Sequence, residues 1–77
     1  MIIDLTQLRP GEIGIVKEIQ GGCGFIRKLH SMGLRPGKKT TKTSSHFWRG
    51  PQTVEVGNMR IAIGFGMAKK ILVEVER

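Results

Sequence analysis

Apolar and polar positions alternate along most of this chain, and one early stretch follows helical spacing instead. Ile13, Ile15 and Ile19 share one face of a strand period while Glu12, Gly14 and Glu18 take the other, which predicts a half-buried strand with an isoleucine face. Gly21, Gly22 and Gly24 break that pattern. Beyond them Phe25, Ile26, Leu29 and Met32 fall on one helical face, with Arg27, Lys28 and Ser31 opposite, so a helix of about two to three turns is expected. Gly33 is the residue that ends it in a left-handed conformation, and Leu34 is placed to fold back on Leu29. Lys38 to Thr43 is rich in β-branched residues, Val54 and Val56 alternate, and so do Met59, Ile61 and Ile63 across a Gly57-Asn58 hairpin turn. Gly66 to Lys70 reads as a helical turn, and Ile71, Val73 and Val75 close the chain as a strand.

One five-residue phrase occurs twice, as Leu8-Arg9-Pro10-Gly11-Glu12 and as Leu34-Arg35-Pro36-Gly37-Lys38. Proline presets φ at the second position of a type II turn and glycine accepts the positive φ of the third, so each copy should launch a strand. About five short strands, one or two short helices and 11 glycines predict a mainly β fold, a small and strongly curved barrel.

Size sets the next bound. The 77 residues form one small domain spanning 1–77, with a core too small to contribute many net kcal/mol. The longest largely apolar stretch, Ile61 to Ala68, is far short of the ~20 residues that cross a bilayer. No secretory leader is legible, because the amino terminus carries Asp4 and lacks a basic segment followed by a long apolar run. Cys23 is the single cysteine, so no internal disulfide forms and a cytoplasmic location is expected.

Charge narrows the partners. Lysine and arginine total 13 against 6 acidic residues, a formal net charge of +7. From Ile19 through Val54 there is no acidic residue, while Arg27, Lys28, Arg35, Lys38, Lys39, Lys42 and Arg49 all lie there. The excess points to an anionic partner, such as a nucleic acid, or simply to a solvated face that keeps the protein soluble. Phe47 and Trp48 are adjacent in a loop bounded by Ser44-Ser45 and Gly50-Pro51, so at least one of the two should face outward beside Arg49. Tryptophan and arginine dominate protein interfaces, and Phe47, Trp48 and Arg49, with Lys38, Lys39 and Lys42, are therefore the candidate partner-binding residues. The same aromatics beside the same cations would also suit a nucleic-acid-binding barrel, with Trp48 as a lid over the barrel end the third reading.

Catalytic chemistry finds little support. Cys23 and His30 would share a helical face but stand ~10 Å apart along the axis, too far for proton transfer within a dyad. Gly21-Gly22-Cys23-Gly24 lacks the Lys-Ser/Thr ending of a phosphate loop. The chain is expected not to be an enzyme. For metals, Cys23, His30 and His46 are the candidate ligands, with Met32 as a soft neighbour, yet no two form a short-spaced pair. No cofactor is implied beyond weak binding of iron or zinc.

Several of these phrases together resemble the FeoA family. They are Leu8-Arg9-Pro10-Gly11, Leu29-His30-Ser31-Met32-Gly33-Leu34-Arg35-Pro36-Gly37, Arg60-Ile61-Ala62-Ile63 and Ala68-Lys69-Lys70-Ile71-Leu72-Val73. The most specific part is the motif carried by Met32, Gly33, Leu34, Pro36 and Gly37. The resemblance implies an SH3-like barrel in the cytoplasm, an accessory of the FeoB-type membrane ferrous iron transporter, and kinship with the domains that end some iron-dependent repressors, which bring in metal sensing as a further alternative. The chain departs from the family pattern at Ser44 to Pro51 and at Gly64-Phe65-Gly66.

Overall fold

The computed structural model describes residues 1–45 and 50–76. Along the chain run β1 (Ile2–Asp4), a 3-10 turn (Leu5–Gln7), β2 (Ile13–Ile19), α1 (Cys23–Ser31), β3 (Lys39–Ser45), β4 (Gln52–Val56), β5 (Met59–Ile63), α2 (Phe65–Ala68) and β6 (Ile71–Glu74). The strands form one six-stranded sheet in the order β1-β6-β2-β3-β4-β5, antiparallel at every pairing. The mainly β architecture expected from alternation is present. β1 is an addition, a short strand laid beside β6 with Ile3 opposite Val73.

Both Pro-Gly phrases are turns of the expected kind. The Glu12 amide donates to the Arg9 carbonyl at 2.8 Å and the Lys38 amide to the Arg35 carbonyl at 3.0 Å. Gly11 and Gly37 hold φ of +85° and +93°, a region that side chains disfavour. Each turn is also pinned to the strand launched by the other: the Gly11 amide donates to the Lys42 carbonyl, and the Gly37 amide to the Val16 carbonyl, both at 2.7 Å. The Gly57-Asn58 hairpin joins β4 to β5 with Val56 opposite Met59.

The face of β2 differs from the expectation. Gly14, Val16 and Ile19 point into the core, whereas Ile13 is 45% exposed and Ile15 half-buried. A bulge between Val16 and Glu18, where the register against β6 shifts, lets Val16 and Ile19 both point inward although they are three positions apart. Gly14 is inward because there is no room for more: a Cβ there would stand 3.0 Å from the Cβ of Val73. Alternation alone places Ile19 correctly but assigns Ile13 and Ile15 to the wrong side.

A second correction concerns Lys42, expected among the partner-binding cations. It is fully buried and its Nζ donates to the Leu5 carbonyl at 2.8 Å, so it holds the 3-10 turn against β3 instead of meeting a partner. The apolar core gathers Leu5, Leu8, Val16, Leu34, Val54, Ile71 and Val73. Among the described residues of β3 the buried ones are the polar pair Thr40 and Lys42, whose side chains donate to the Glu55 and Leu5 carbonyls.

Candidate functional site

α1 begins at a glycine pair and each glycine has a separate task. Gly21 adopts φ of +137°, and a Cβ on it would meet the Phe25 ring at 2.8 Å, so the bare backbone makes the seat on which Phe25 lies. Gly22 is the residue before the first turn, its carbonyl accepting from the Ile26 amide at 3.0 Å. The helix is amphipathic as expected: Leu29 is buried, Phe25, Ile26 and Met32 pack partly buried on the core, and Arg27, Lys28 and Ser31 are exposed. Its end has the paired hydrogen bonds of a Schellman motif, Leu34 amide to Leu29 carbonyl at 2.9 Å and Gly33 amide to His30 carbonyl at 3.0 Å, with Gly33 at φ of +95°. The motif around Met32 to Gly37 is thus a helix stop followed by a strand-launching turn.

α2 is the opposite wall. Its single turn is closed by the Ala68 amide donating to the Gly64 carbonyl at 2.8 Å, Ala68 is buried, and Met67 is left 55% exposed. Lys69 and Lys70 follow at once, and the Gln20 amide binds the Lys70 carbonyl at 2.8 Å, tying the end of β2 to the end of α2. Between the helices runs a groove of about 240 Å³. Leu29 and Ile63 form its buried floor, and Phe25, Met32 and Met67 form its sides. Lys28 stands at its lip, and the Lys70 ammonium lies 5.9 Å from the centre of the Phe25 ring. Lys69 sits likewise over Phe65, at 5.8 Å. Such contacts hold each cation over a ring face without neutralising it. None of the residues that line the groove carries a carboxylate.

Two other depressions lie on the outer face of the sheet. One, of about 390 Å³, runs beside Ile13 and Ile15 and is bordered by Glu12, Glu74 and Glu76. The other, of about 410 Å³, holds Lys38 and Lys39 but also Glu55, so its charge is mixed. Lys17 pairs with Glu74 at 3.0 Å on the same face, and hydrogen bonding from Lys17 lowers the Glu74 carboxyl below its usual range.

Of the residues singled out from the sequence, Lys38 and Lys39 are exposed, and Lys42 is in the core. Burial pushes the Lys42 ammonium below the usual lysine range, with the Asp4 carboxylate acting the other way. His46, Phe47, Trp48 and Arg49 lie outside the described residues. Cys23 and His30 sit near opposite ends of α1, exposed and half-buried respectively, and among the described residues no three His, Cys, Asp or Glu side chains gather as a metal site would need. Met32 turns out to line the groove. The walls contributed by Ala62, Gly64 and Met67 had no legible signal in the sequence beyond the loss of alternation after Ile63, because their partners on α1 are more than thirty positions away.

Comparison with known proteins extends over nearly the whole chain. The FeoA domain profile matches residues 3–75. The chain is 41% identical over 70 residues to the putative Fe(2+) transport protein A of Methanocaldococcus jannaschii, covering 91% of this chain and 83% of that one. A crystal structure of the iron uptake regulatory protein FeoA superposes with a TM-score of 0.85 at 40% identity, over 96% of both chains. The solution structure of iron(II) transport protein A from Clostridium thermocellum gives 0.88 at 27% identity, covering 95% of this chain and 45% of that one. A manganese-dependent transcriptional repressor matches at 0.87 over 97% of this chain and 42% of its own, but at 20% identity, which shows a shared fold alone. With the profile, a relative of 41% identity and the superposed structures in agreement, the chain belongs to the FeoA domain family and has its SH3-like fold.

Proposed function

We propose that this protein is a non-catalytic accessory module of ferrous iron uptake that acts in the cytoplasm by binding the cytoplasmic portion of a FeoB-type membrane iron transporter. The ferrous iron part of this reading is supported by the Fe(2+) transport protein A from Methanocaldococcus jannaschii. The binding part is supported by one observation above all, the apolar groove between α1 and α2 with Lys28 and Lys70 beside it, an arrangement suited to recognition and poor in catalytic groups. Among the described residues no helix is long and apolar enough to cross a membrane, so contact with a transporter would be made from one side of the bilayer.

The groove favours protein over nucleic acid as the partner. Lys42, counted with the basic stretch, is buried and unavailable to phosphates, and Lys38 and Lys39 share their depression with Glu55. No cofactor is needed for such a role. Calorimetric titration of the purified protein with the cytoplasmic portion of a FeoB-type transporter tests the reading. Saturable one-to-one binding that persists at physiological salt is expected. Binding to single-stranded oligonucleotides with steep salt dependence, and none to the transporter portion, would overturn it.

A further inference from the structure

We propose that the groove between α1 and α2 receives an acidic amphipathic helix of the partner protein, its apolar residues on Phe25, Met32 and Met67 and its carboxylates on Lys28, Lys69 and Lys70. This deepens the transporter-binding reading and rests on it for the partner's identity, though its chemistry is read from the groove alone. Three features converge. The floor and sides are hydrocarbon and thioether, and methionine is unbranched and polarizable, so Met32 and Met67 conform to whatever apolar ridge enters. A groove of this kind reads a helix through apolar anchors spaced three and four residues apart. The charges at the groove itself are of one sign: Lys28 lines it, Lys70 stands over the Phe25 ring that forms its side, and Lys69 precedes Lys70 at the end of α2.

The rival occupants fit less well. A lipid surface takes up apolar side chains that protrude from a protein, whereas Leu29 and Ile63 form the floor of a recess. Single-stranded nucleic acid stacks its bases on open aromatic faces, and the rings of Phe25 and Phe65 lie under the chain's own Lys70 and Lys69. A helix from a second copy is also unsuited, because neither Cys23–Ser31 nor Phe65–Ala68 bears a carboxylate.

The four methionines provide the measurement, because Met32 and Met67 line the groove while Met1 and Met59 lie elsewhere and exposed. Protein labelled with carbon-13 at the methionine methyls is titrated with a designed leucine-glutamate amphipathic helix and with its twin carrying lysine for glutamate. The acidic helix should shift the Met32 and Met67 signals and bind at least ~tenfold tighter than the twin, a difference of ~1.4 kcal/mol. Lys69→Glu with Lys70→Glu should reverse that preference. Equal affinity for the two helices, or shifts confined to Met1 and Met59, would overturn the proposal, as would tighter occupation of the groove by a single-stranded oligonucleotide or by phosphatidylserine vesicles.

The transporter portion separates the two readings. If it binds Met67→Glu and the doubly reversed variant as well as wild type, but is lost by Lys38→Glu with Lys39→Glu, the groove assignment fails and transporter binding stands. If the acidic helix binds as expected and the transporter portion does not, the groove chemistry stands and the transporter reading fails. Met67, Lys69 and Lys70 are exposed, and an unchanged melting temperature establishes that each variant is folded.

Discussion

Val16 and Lys42 occupy equivalent positions about a local two-fold axis that relates β2 to β3. The Val16 amide donates to the Lys38 carbonyl while its carbonyl accepts from Gly37; the Lys42 amide donates to the Glu12 carbonyl while its carbonyl accepts from Gly11. The pairing of Gly14 with Thr40, and of Ile13 and Ile15 with Thr41 and Lys39, follows the same symmetry. The repeated Leu-Arg-Pro-Gly phrase is the sequence trace of this axis, one copy capping each end of the ladder. Both side chains are fully buried, but only one is apolar. Lys42 resolves the conflict by donating to the Leu5 carbonyl, which also accepts from the Leu8 amide at 3.3 Å.

Because the Leu5 carbonyl keeps its backbone donor, a hydrocarbon of similar length should replace Lys42 without loss. Lys42→Met is expected to match or exceed wild-type stability at pH 7, by on the order of 1 kcal/mol, since the buried charge is removed along with its desolvation cost. Lys42→Ala should lose ~2 kcal/mol through the cavity it leaves. Urea melts of the three proteins decide this, and a large loss in the methionine variant would show that the charge itself is needed.

The same residue gives stability a pH dependence of known sign. The folded-state value of Lys42 lies below the ordinary 10.5, so in the window between the two the unfolded chain binds more protons. Wild type should therefore gain stability relative to Lys42→Met as pH rises towards 10.5, then level off. Comparing the pair at each pH cancels the contribution of every other lysine. A constant difference between them would mean that Lys42 titrates alike in both states.

Gly33→Val should destabilise by more than ~1 kcal/mol, because φ of +95° is a poor place for a β-branched residue. Space is not the obstacle, since a Cβ would find the Val56 methyl at an ordinary 3.7 Å. Gly33→Asn should cost less. An unchanged urea midpoint for the valine variant would contradict the backbone argument.

Gly14→Ala tests close packing where backbone conformation imposes nothing. The added methyl would press on the Cβ and a methyl of Val73, each 3.0 Å away, and Val73 is fully buried with little freedom to yield. A loss of about 1–3 kcal/mol is expected. Thermal melts would show it, and a stabilised variant would mean that β2 and β6 separate readily at this point.

Nanomolar iron or zinc binding is not expected, because Cys23 and His30 are at opposite ends of α1 and the described residues assemble no cluster of three ligands. Calorimetry with each ion on tag-free protein is the measurement. Tight one-to-one binding abolished by His30→Ala or His46→Ala would promote metal sensing to the leading function.

Features that depend on short-range sterics and spacing were legible in the sequence. The two Pro-Gly turns, the Gly57-Asn58 hairpin, the span of α1 and its Schellman ending at Gly33 are each specified within a few residues, by where proline fixes φ, where glycine alone accepts a positive φ, and where apolar side chains recur at helical spacing. Features that depend on pairing across the chain were not legible there. The bulge after Val16 lies where β2 pairs with β6, and it lets Val16 and Ile19 share the inward face with Gly14. Lys42 is buried because the 3-10 turn, far away in sequence, supplies a carbonyl at the reach of its ammonium. The groove exists because the fold brings the end of β5 and α2 beside α1, so that Met67 and Met32, 35 positions apart, line one recess. A side chain's environment is the sum of distant neighbours, and alternation along one strand carries no record of them.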